Sequence, residues 1–372
     1  MVITMEEKYY VCDECGEKIA IGEETEIDGM TLCSHCTATL TVECRRCGER
    51  IWKSDSIRGV LCRTCYDMYY TVCSECNALM RLDDACYLAG DEFDHEYPYC
   101  EDCYDSLNSE KFIHDYYYKP EPVFYGDDST LYMGVELEVD EGGEDEDYAE
   151  SILRTANQED EHVYIKHDGS LCEGFELVTH PMTLDYHRNK INWKELVSKL
   201  IRYGYRSHNA ETCGLHIHVN RNALGKTYDE QEDVIGRLVY FYERFWPEIL
   251  RFSRRTEDQA NRWASRYGGV ITDCKNVLKE AKKSGLGRYT AVNLTNNNTI
   301  EFRIFRGTLL FNTFMATLEF THYLCNLAIE MNDEEFQERT WTDFVTGIDT
   351  NEYSELVNYL KIRRLYINEE EI

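Results

Sequence analysis

The sequence predicts an α+β fold, an antiparallel sheet backed by helices and preceded by three small cysteine-rich modules. Three observations predict it. Twelve of the 17 cysteines form six C-x2-C pairs before residue 104. From residue 131 to 306, short segments alternate polar and apolar side chains with the period of a half-buried strand. Longer stretches of helical period lie between and after them. At 372 residues and 43% hydrophobic, the chain has room for two or three domains with a sizeable core.

The cysteine pairs are Cys12/Cys15, Cys33/Cys36, Cys44/Cys47, Cys62/Cys65, Cys73/Cys76 and Cys100/Cys103. They form an internal repeat, because Cys12, Cys44 and Cys73 open units about 30 residues apart. The units cover about 8–40, 41–69 and 70–106. Two thiolate pairs of this spacing complete a closed tetrahedral zinc site, so about three structural zinc ions are expected, with pairing inside each unit. Interleaved pairing between neighbours fits the same spacing, and so do iron or iron–sulfur centres. Cys86 and His95 lie inside the third unit as alternative ligands, although packing explains both more simply. Residues 1–7 lack the charged start and apolar centre of a signal peptide, which predicts a cytoplasmic protein with reduced thiols.

Charge narrows the partners. The chain carries a formal net charge of -31, and residues 1–106 hold 23 acidic against 9 basic side chains. Such a surface repels nucleic acid and anionic membrane, and no apolar run reaches the roughly 18 residues that span a bilayer. The modules are therefore expected to bind protein, present a substrate or act as scaffold. Residues 107–130, with Pro120 and Pro122 after three tyrosines, read as a linker.

From residue 131 to 372 a second domain follows. Leu131 to Asp140 alternates and sets Glu136 and Glu138 on one face; an acidic loop, Glu141 to Asp147, precedes a helix over about 148–158. Val163 to Lys166 and Gly174 to His180 pair around Asp168-Gly169-Ser170, bringing Asp168 and Glu176 within reach of one ion. After an amphipathic helix over about 185–202 comes Cys213-Gly-Leu-His-Ile-His-Val-Asn220, where His216 and His218 share a polar face. One long helix is expected over about 229–252, then a hairpin of 288–294 with 299–305 around three asparagines. Helices over about 312–331 and 352–365 close the chain. Cys172, Cys213, Cys274 and Cys325 have no base beside them and are expected in the core.

The polar faces carry chemistry. Glu136, Glu138, Asp168, Glu176 and Glu301 are hard oxygen donors suited to magnesium or manganese. Between Arg244 and Arg288 the charge reverses, with 11 Lys/Arg against 5 Asp/Glu. Arg254, Arg255, Arg262 and Arg288, with Arg303 and Arg306 beyond, can grip phosphate oxygens in bidentate fashion. Metals and arginines on one surface are the equipment of phosphoryl transfer. Two rivals remain open: a His216/His218 metal-dependent hydrolase, and a zinc-binding adaptor whose second domain no longer turns over.

The Gly134-Val-Glu-Leu-Glu138 strand, the His167-Asp-Gly-Ser170 turn with Gly174-Phe-Glu-Leu-Val178, the Gly214-Leu-His-Ile-His218 strand and Thr299-Ile-Glu-Phe-Arg-Ile-Phe-Arg306 resemble the motif set of the amidoligases. These are carboxylate–amine ligases related to glutamine synthetase and glutamate–cysteine ligase. The resemblance covers about residues 131–330. It implies a curved sheet whose concave face binds ATP and two or three Mg2+ (or Mn2+) ions, and an acyl phosphate that an amine converts to an amide. The implied substrates are a carboxylate and an amine, free or within a peptide or protein. By motif position Glu136, Glu138, Asp168, Glu176, His216 and Glu301 would be metal ligands, and Arg303, with Arg288 nearby, would contact the phosphoryl group or the carboxylate substrate. From residue chemistry alone His218 is expected to join the ligands on its shared face, Arg306 the reacting groups, and Arg254, Arg255 and Arg262 the nucleotide. Asp168 stands where glutamine synthetase has Glu, which leaves the ion count open.

Overall fold

The computed structural model describes residues 9–88, 97–108, 111–127, 131–210, 212–269 and 272–366; His95 and residues 1–7 lie outside them. The chain divides into two compact units, residues 1–109 and 110–372. Among the described residues no helix is long and apolar enough to cross a membrane.

In the first unit each module opens with a hairpin: Tyr9–Val11 with Lys18–Ala20, Thr41–Glu43 with Arg50–Trp52, and Tyr70–Val72 with Leu79–Arg81. Each closes with a short helix, Ser34–Leu40, Arg63–Tyr69 or Glu101–Asn108. One backbone device recurs at the hairpin tips. Gly16, Gly48 and Asn77, each next after a cysteine, take φ of 76°, 76° and 63°. Their N–H groups donate to the carbonyls of Cys12, Cys44 and Cys73 at 2.8–2.9 Å. Only Gly, or a short polar residue such as Asn, enters that left-handed region cheaply. The apolar content of a module is slight; in the first it is Ile19, Ile27 and Leu32 against Cys12, Cys33 and Cys36.

The second unit is built on one seven-stranded sheet. Its spatial order is Val292–Asn293, Thr299–Arg306, Gly214–Asn220, Met133–Val139, Phe175–Thr179, Val163–Lys166 and Ile113–His114. Every pairing is antiparallel except the last, where Ile113–His114 runs parallel to Val163–Lys166. The sheet is therefore mixed, not purely antiparallel, and its edge strand lies inside the stretch read as a linker. A two-residue strand shows no alternation for a sequence to display. Met133, Val135, Leu137 and Val139 with Leu215, Ile217 and Val219 are fully buried on one face. Alternation then sends Glu136, Glu138, His216 and His218 to the other.

Helices cover the apolar face, among them Trp193–Arg202, Tyr228–Arg244 and Phe311–Glu330. Trp193 packs on Phe314 with ring centroids 4.3 Å apart, and Tyr242 on Phe302 at 5.6 Å. Two helices expected as continuous are broken. Pro247 ends one at Arg244 and starts Trp246–Ser253, because it lacks an N–H and its ring collides with the preceding turn. Asn192 caps Glu195 N and divides the other into Leu184–Asn189 and Trp193–Arg202. Of the strand expected over 288–294 only Val292–Asn293 pairs with Thr299–Arg306, while Thr290 bridges to Ser265 instead. The helices after residue 330 belong to the same core, with Leu356 and Leu360 fully buried and Glu319 accepting from Leu356 N at 2.8 Å. Cys213, Cys274 and Cys325 are buried as expected of core thiols, whereas Cys172 is exposed.

Gly174 shows how tightly the hairpin packs on the central strand. A Cβ there would run into the Val139 carbonyl and the Asp140 backbone. Gly174→Ala is expected to cost about 2 kcal/mol or more of stability, since backbone must yield. A urea titration that follows the second unit should show the midpoint fall; an unchanged midpoint would mean the strands are not held so close.

Candidate functional site

The structure gathers the twelve cysteines of the C-x2-C pairs into three quartets, each inside its own module. Cys12, Cys15, Cys33 and Cys36 form one, Cys44, Cys47, Cys62 and Cys65 the next, and Cys73, Cys76, Cys100 and Cys103 the third, with sulfurs within 4.8 Å of one another. Sulfur pairs stand at 3.6 Å (Cys15/Cys33), 3.9 Å (Cys47/Cys62) and 3.6 Å (Cys76/Cys100). Four sulfurs each about 2.3 Å from a tetrahedral centre lie about 3.8 Å apart. A disulfide would bring them to about 2.05 Å. The quartets are thus compatible with zinc. Hydrogen bonding from the Cys15 backbone, working against burial, lowers the Cys12 thiol to about 6. Burial alone would raise Cys44 and Cys73, but backbone N–H groups prevail and bring both to about 6. Each module therefore carries a ready thiolate.

The second candidate lies on the polar face of the large sheet, in a cavity of about 780 Å3. The strand register builds it. Glu136 stands opposite His216, Glu138 opposite Glu176, and His218 opposite Glu301. Between Leu215 and Ile217 the pairing slips, so that Ile217 faces Phe302 while Leu215 faces Phe305. Such a bulge adds a residue to one strand and re-aims its side chains, here around Arg303.

Two donor sets overlap at Glu136: Glu136, Glu176 and His216, and Glu136, His218 and Glu301, each with ligand atoms within 4.8 Å. His216 Nδ1 is 3.1 Å from Glu136 Oε2, and His218 Nε2 is 3.0 Å from Glu136 Oε1. His216 Nε2 lies 3.6 Å from Glu138 Oε1, and His218 Nδ1 3.1 Å from Thr299 Oγ1. Gly214 N–H donates to Glu138, and Arg303 pairs with Glu301. Asn293 and Asn296 donate to the other Glu301 oxygen at 2.7 and 3.2 Å.

Electrostatics follow from burial. Glu138, Glu176, His216 and Glu301 are at most 5% exposed. Burial and the Glu136 charge push the Glu176 carboxyl well above the carboxylate range. Burial and Asp168 likewise raise Glu138, even with His216 opposing. Glu136 goes the other way: burial works against its charge, but His218 and His216 outweigh it and hold the group well below its usual value. Burial thus disfavours the charged form of two carboxyls in the cluster, Glu138 and Glu176. A divalent cation would favour it, and a mixed carboxylate–imidazole donor set accepts magnesium or manganese.

Of the thirteen non-cysteine residues singled out from the sequence, ten line this cavity. They are the seven acids and histidines together with Arg255, Arg288 and Arg303. Arg254, Arg262 and Arg306 are not among its lining residues. Arg254 spends its guanidinium on the carbonyls of Arg306 and Gly307, Arg306 turns to Arg254 O, and Arg262 lies over the Trp263 ring. Asp168 lines the cavity, yet the residue opposite Glu176 is Lys166, with Nζ 3.1 Å from Glu176 Oε2. Arg288 reaches the hydroxyls of Tyr116 and Tyr289 at 3.1 and 3.2 Å. Sequence reading missed Lys166, Asn293 and the Tyr116–Tyr118 wall. Lys166 was legible, since it shares its strand parity with Tyr164 and a register with Glu176.

Residues 150–324 match the family model described as "Putative amidoligase enzyme". No curated protein matches the chain. Among solved structures the chain is similar to a bifunctional glutathione synthetase from Pasteurella multocida, at 13% identity and a TM-score of 0.35. That likeness covers 63% of this chain and 46% of the other, so less than half the length of the synthetase is spanned. The matched stretch holds Asp168, Glu176, His216, His218 and Glu301 with Arg255, Arg288 and Arg303, while Glu136 and Glu138 precede it. By that family match, the region that carries the cavity is similar to ligases of the amidoligase type.

Proposed function

We propose that the chain is an ATP-dependent ligase that joins a carboxylate to an amine. The observation that carries this reading is the overlap of two carboxylate–imidazole sets at Glu136, on the wall of a cavity that Arg255, Arg288 and Arg303 also line. Buried acids and imidazoles beside fixed guanidinium groups suit a reaction in which phosphate charge must be gathered and neutralised.

In this reading Glu136, Glu138, Asp168, Glu176 and Glu301 hold magnesium or manganese together with His216 and His218. Ions so held supply charge neutralisation for a bound triphosphate. Arg303, anchored by Glu301, and Arg288, anchored by two tyrosine hydroxyls, are pre-aimed cations for the phosphoryl group or the substrate carboxylate. The substrate carboxylate oxygen attacks the γ-phosphorus and ADP departs, giving an acyl phosphate. The amine nitrogen then attacks the acyl carbon, phosphate departs with its electron pair, and the nitrogen loses a proton. No enzyme nucleophile is required. A hydrolase built on His216 and His218 draws less support, because the groups crowding the two imidazoles are carboxylates and Thr299.

Turnover of Mg-ATP with a panel of acids and amines, read as ADP and phosphate release, tests the reading. Glu136→Gln and Glu301→Gln are each expected to lower kcat about a hundredfold or more, the effect of losing roughly 3 kcal/mol of charge stabilisation. The circular dichroism spectrum should be unchanged in both. Full activity in both variants would refute the assignment.

The first unit is proposed to hold three structural zinc ions, one per quartet, as a protein-binding or substrate-presenting module. Metal analysis of the purified chain should find about three zinc ions, and removing them with a strong chelator should make residues 1–109 protease-sensitive, as expected where metal replaces a core. A metal-free chain that resists proteolysis in that region would overturn it.

A further inference from the structure

Between Tyr132 and Glu136 the polar face of the central strand carries no side chain. Gly134 shares that face, stands opposite His218 and lines the cavity. It lies within regular strand, and a Cβ there would meet the His218 Cβ at 3.7 Å and the Thr179 carbonyl at 3.8 Å, both ordinary contact distances. Neither backbone conformation nor packing therefore calls for glycine at this position. What it leaves is room, a recess in the cavity floor beside Glu136 and His218, of the kind found where a ligand comes close to a strand.

The walls of the recess say what fits it. Phe124 meets Tyr132 edge-on with ring centroids 5.0 Å apart, lines the cavity and is still 51% exposed. Pro122 and Pro181, also on the wall, have no N–H to offer. The polar groups alongside already have partners. Thr179 Oγ1 accepts from Val135 N at 2.9 Å, His180 Nδ1 from Val123 N at 3.2 Å and Asn220 Oδ1 from Tyr132 N at 2.9 Å. His218 turns Nδ1 to Thr299 and Nε2 to Glu136. Lys119 lines the cavity too, but it is exposed and keeps its ammonium in water. Walls whose donors and acceptors are taken return nothing to a polar group for the water it sheds, whereas an apolar group gains by burial. The phosphate-binding side is elsewhere: Arg303 lies two strands away on Thr299–Arg306, and Arg255 is bonded to the carbonyls of Ile304 and Phe305 on that same strand.

We infer that the Gly134 recess is a side-chain subsite, and that one of the two molecules joined carries an apolar side chain, aromatic or branched aliphatic, which lies over Gly134 against Phe124 and Tyr132. The inference rests on the ligase reading given above and adds a substrate class to it. Gly134 is then a specificity-determining residue that acts by leaving space.

The test measures binding of L-phenylalanine, L-leucine and L-glutamate to the zinc-loaded full chain by calorimetry, with Mg2+, in the absence and presence of the non-hydrolysable β,γ-methylene analogue of ATP. Phenylalanine or leucine should bind about tenfold or more tightly than glutamate, and saturating analogue should not weaken it. Gly134→Leu, which fills the recess, should lower that affinity about tenfold or more with an unchanged circular dichroism spectrum. Glutamate binding as tightly as the apolar probes, no probe binding, or full affinity in Gly134→Leu would overturn the inference. Displacement of the apolar probe by the analogue would also overturn it, by giving the recess to the nucleotide. A wild type that binds the apolar probe at Gly134 but not the analogue would remove the ligase reading and keep the recess. Should Gly134→Leu fail to fold, the selectivity and displacement measured on wild type still decide.

Discussion

The constraint on which the second unit depends is the burial of like charge. Its central strand alternates four fully buried apolar residues with Glu136 and Glu138, so the face that cannot join the core is made of acids. The next strand adds Glu176 opposite Glu138, and two strands away on the other side Glu301 stands opposite His218. An isolated carboxylate in such surroundings would take up a proton. Imidazoles, guanidinium groups and one ammonium are interleaved with the acids instead, and the sheet sets which cation meets which acid. Glu136 meets two imidazoles and is held well below its usual range, whereas burial and the Glu136 charge push Glu176 well above it even with Lys166 alongside. The difference between two glutamates on adjacent strands is a matter of position alone.

A second layer holds the cations where they stand. Arg255 donates to the carbonyls of Ile304 and Phe305, burial lowers its pKa to about 10, and the Glu138 charge opposes that loss. Arg288 is fixed by Tyr116 and Tyr289, so the Tyr116–Tyr118 segment becomes a wall of the cavity through a hydrogen bond made far along the chain. His114 stacks on Tyr118 at 3.6 Å, and the strand Ile113–His114 ties the start of that wall to the sheet. Rigid support of this kind keeps a site's dipoles and charges aimed before any ligand arrives.

Periodicity made the large elements legible. Strands with a buried apolar side, such as Met133–Val139 and Gly214–Asn220, announce themselves because alternation is the condition for lying at the edge of a core. The cysteine quartets were legible for a different reason: tetrahedral coordination restricts the spacing of its ligands more tightly than any apolar contact does. What escaped was short or non-local. Ile113–His114 is two residues long, and the breaks at Pro247 and Asn192 interrupt an apolar stripe without erasing it. Arg254, Arg262 and Arg306 look like ligand-binding arginines in a list of charges, yet two of them serve backbone carbonyls. A guanidinium has five donors, and buried carbonyls compete for them as effectively as a phosphate does.

The hairpin of Val163–Lys166 with Phe175–Thr179 separates what a motif tells from what register decides. Read as a string, Asp168 and Glu176 form an acidic pair eight residues apart, which invites a shared ion. Pairing starts two residues earlier, at Lys166, and Asp168 belongs to the turn, where its Oδ1 accepts from Ser170 N at 2.7 Å. A carboxylate engaged in closing a turn is held at the rim, while the residue facing Glu176 across the ladder is a cation. Strand geometry gives each position one direct neighbour per side, and a shift of two residues keeps the face while changing that neighbour. The charge that faces Glu176 is therefore set by where the turn closes.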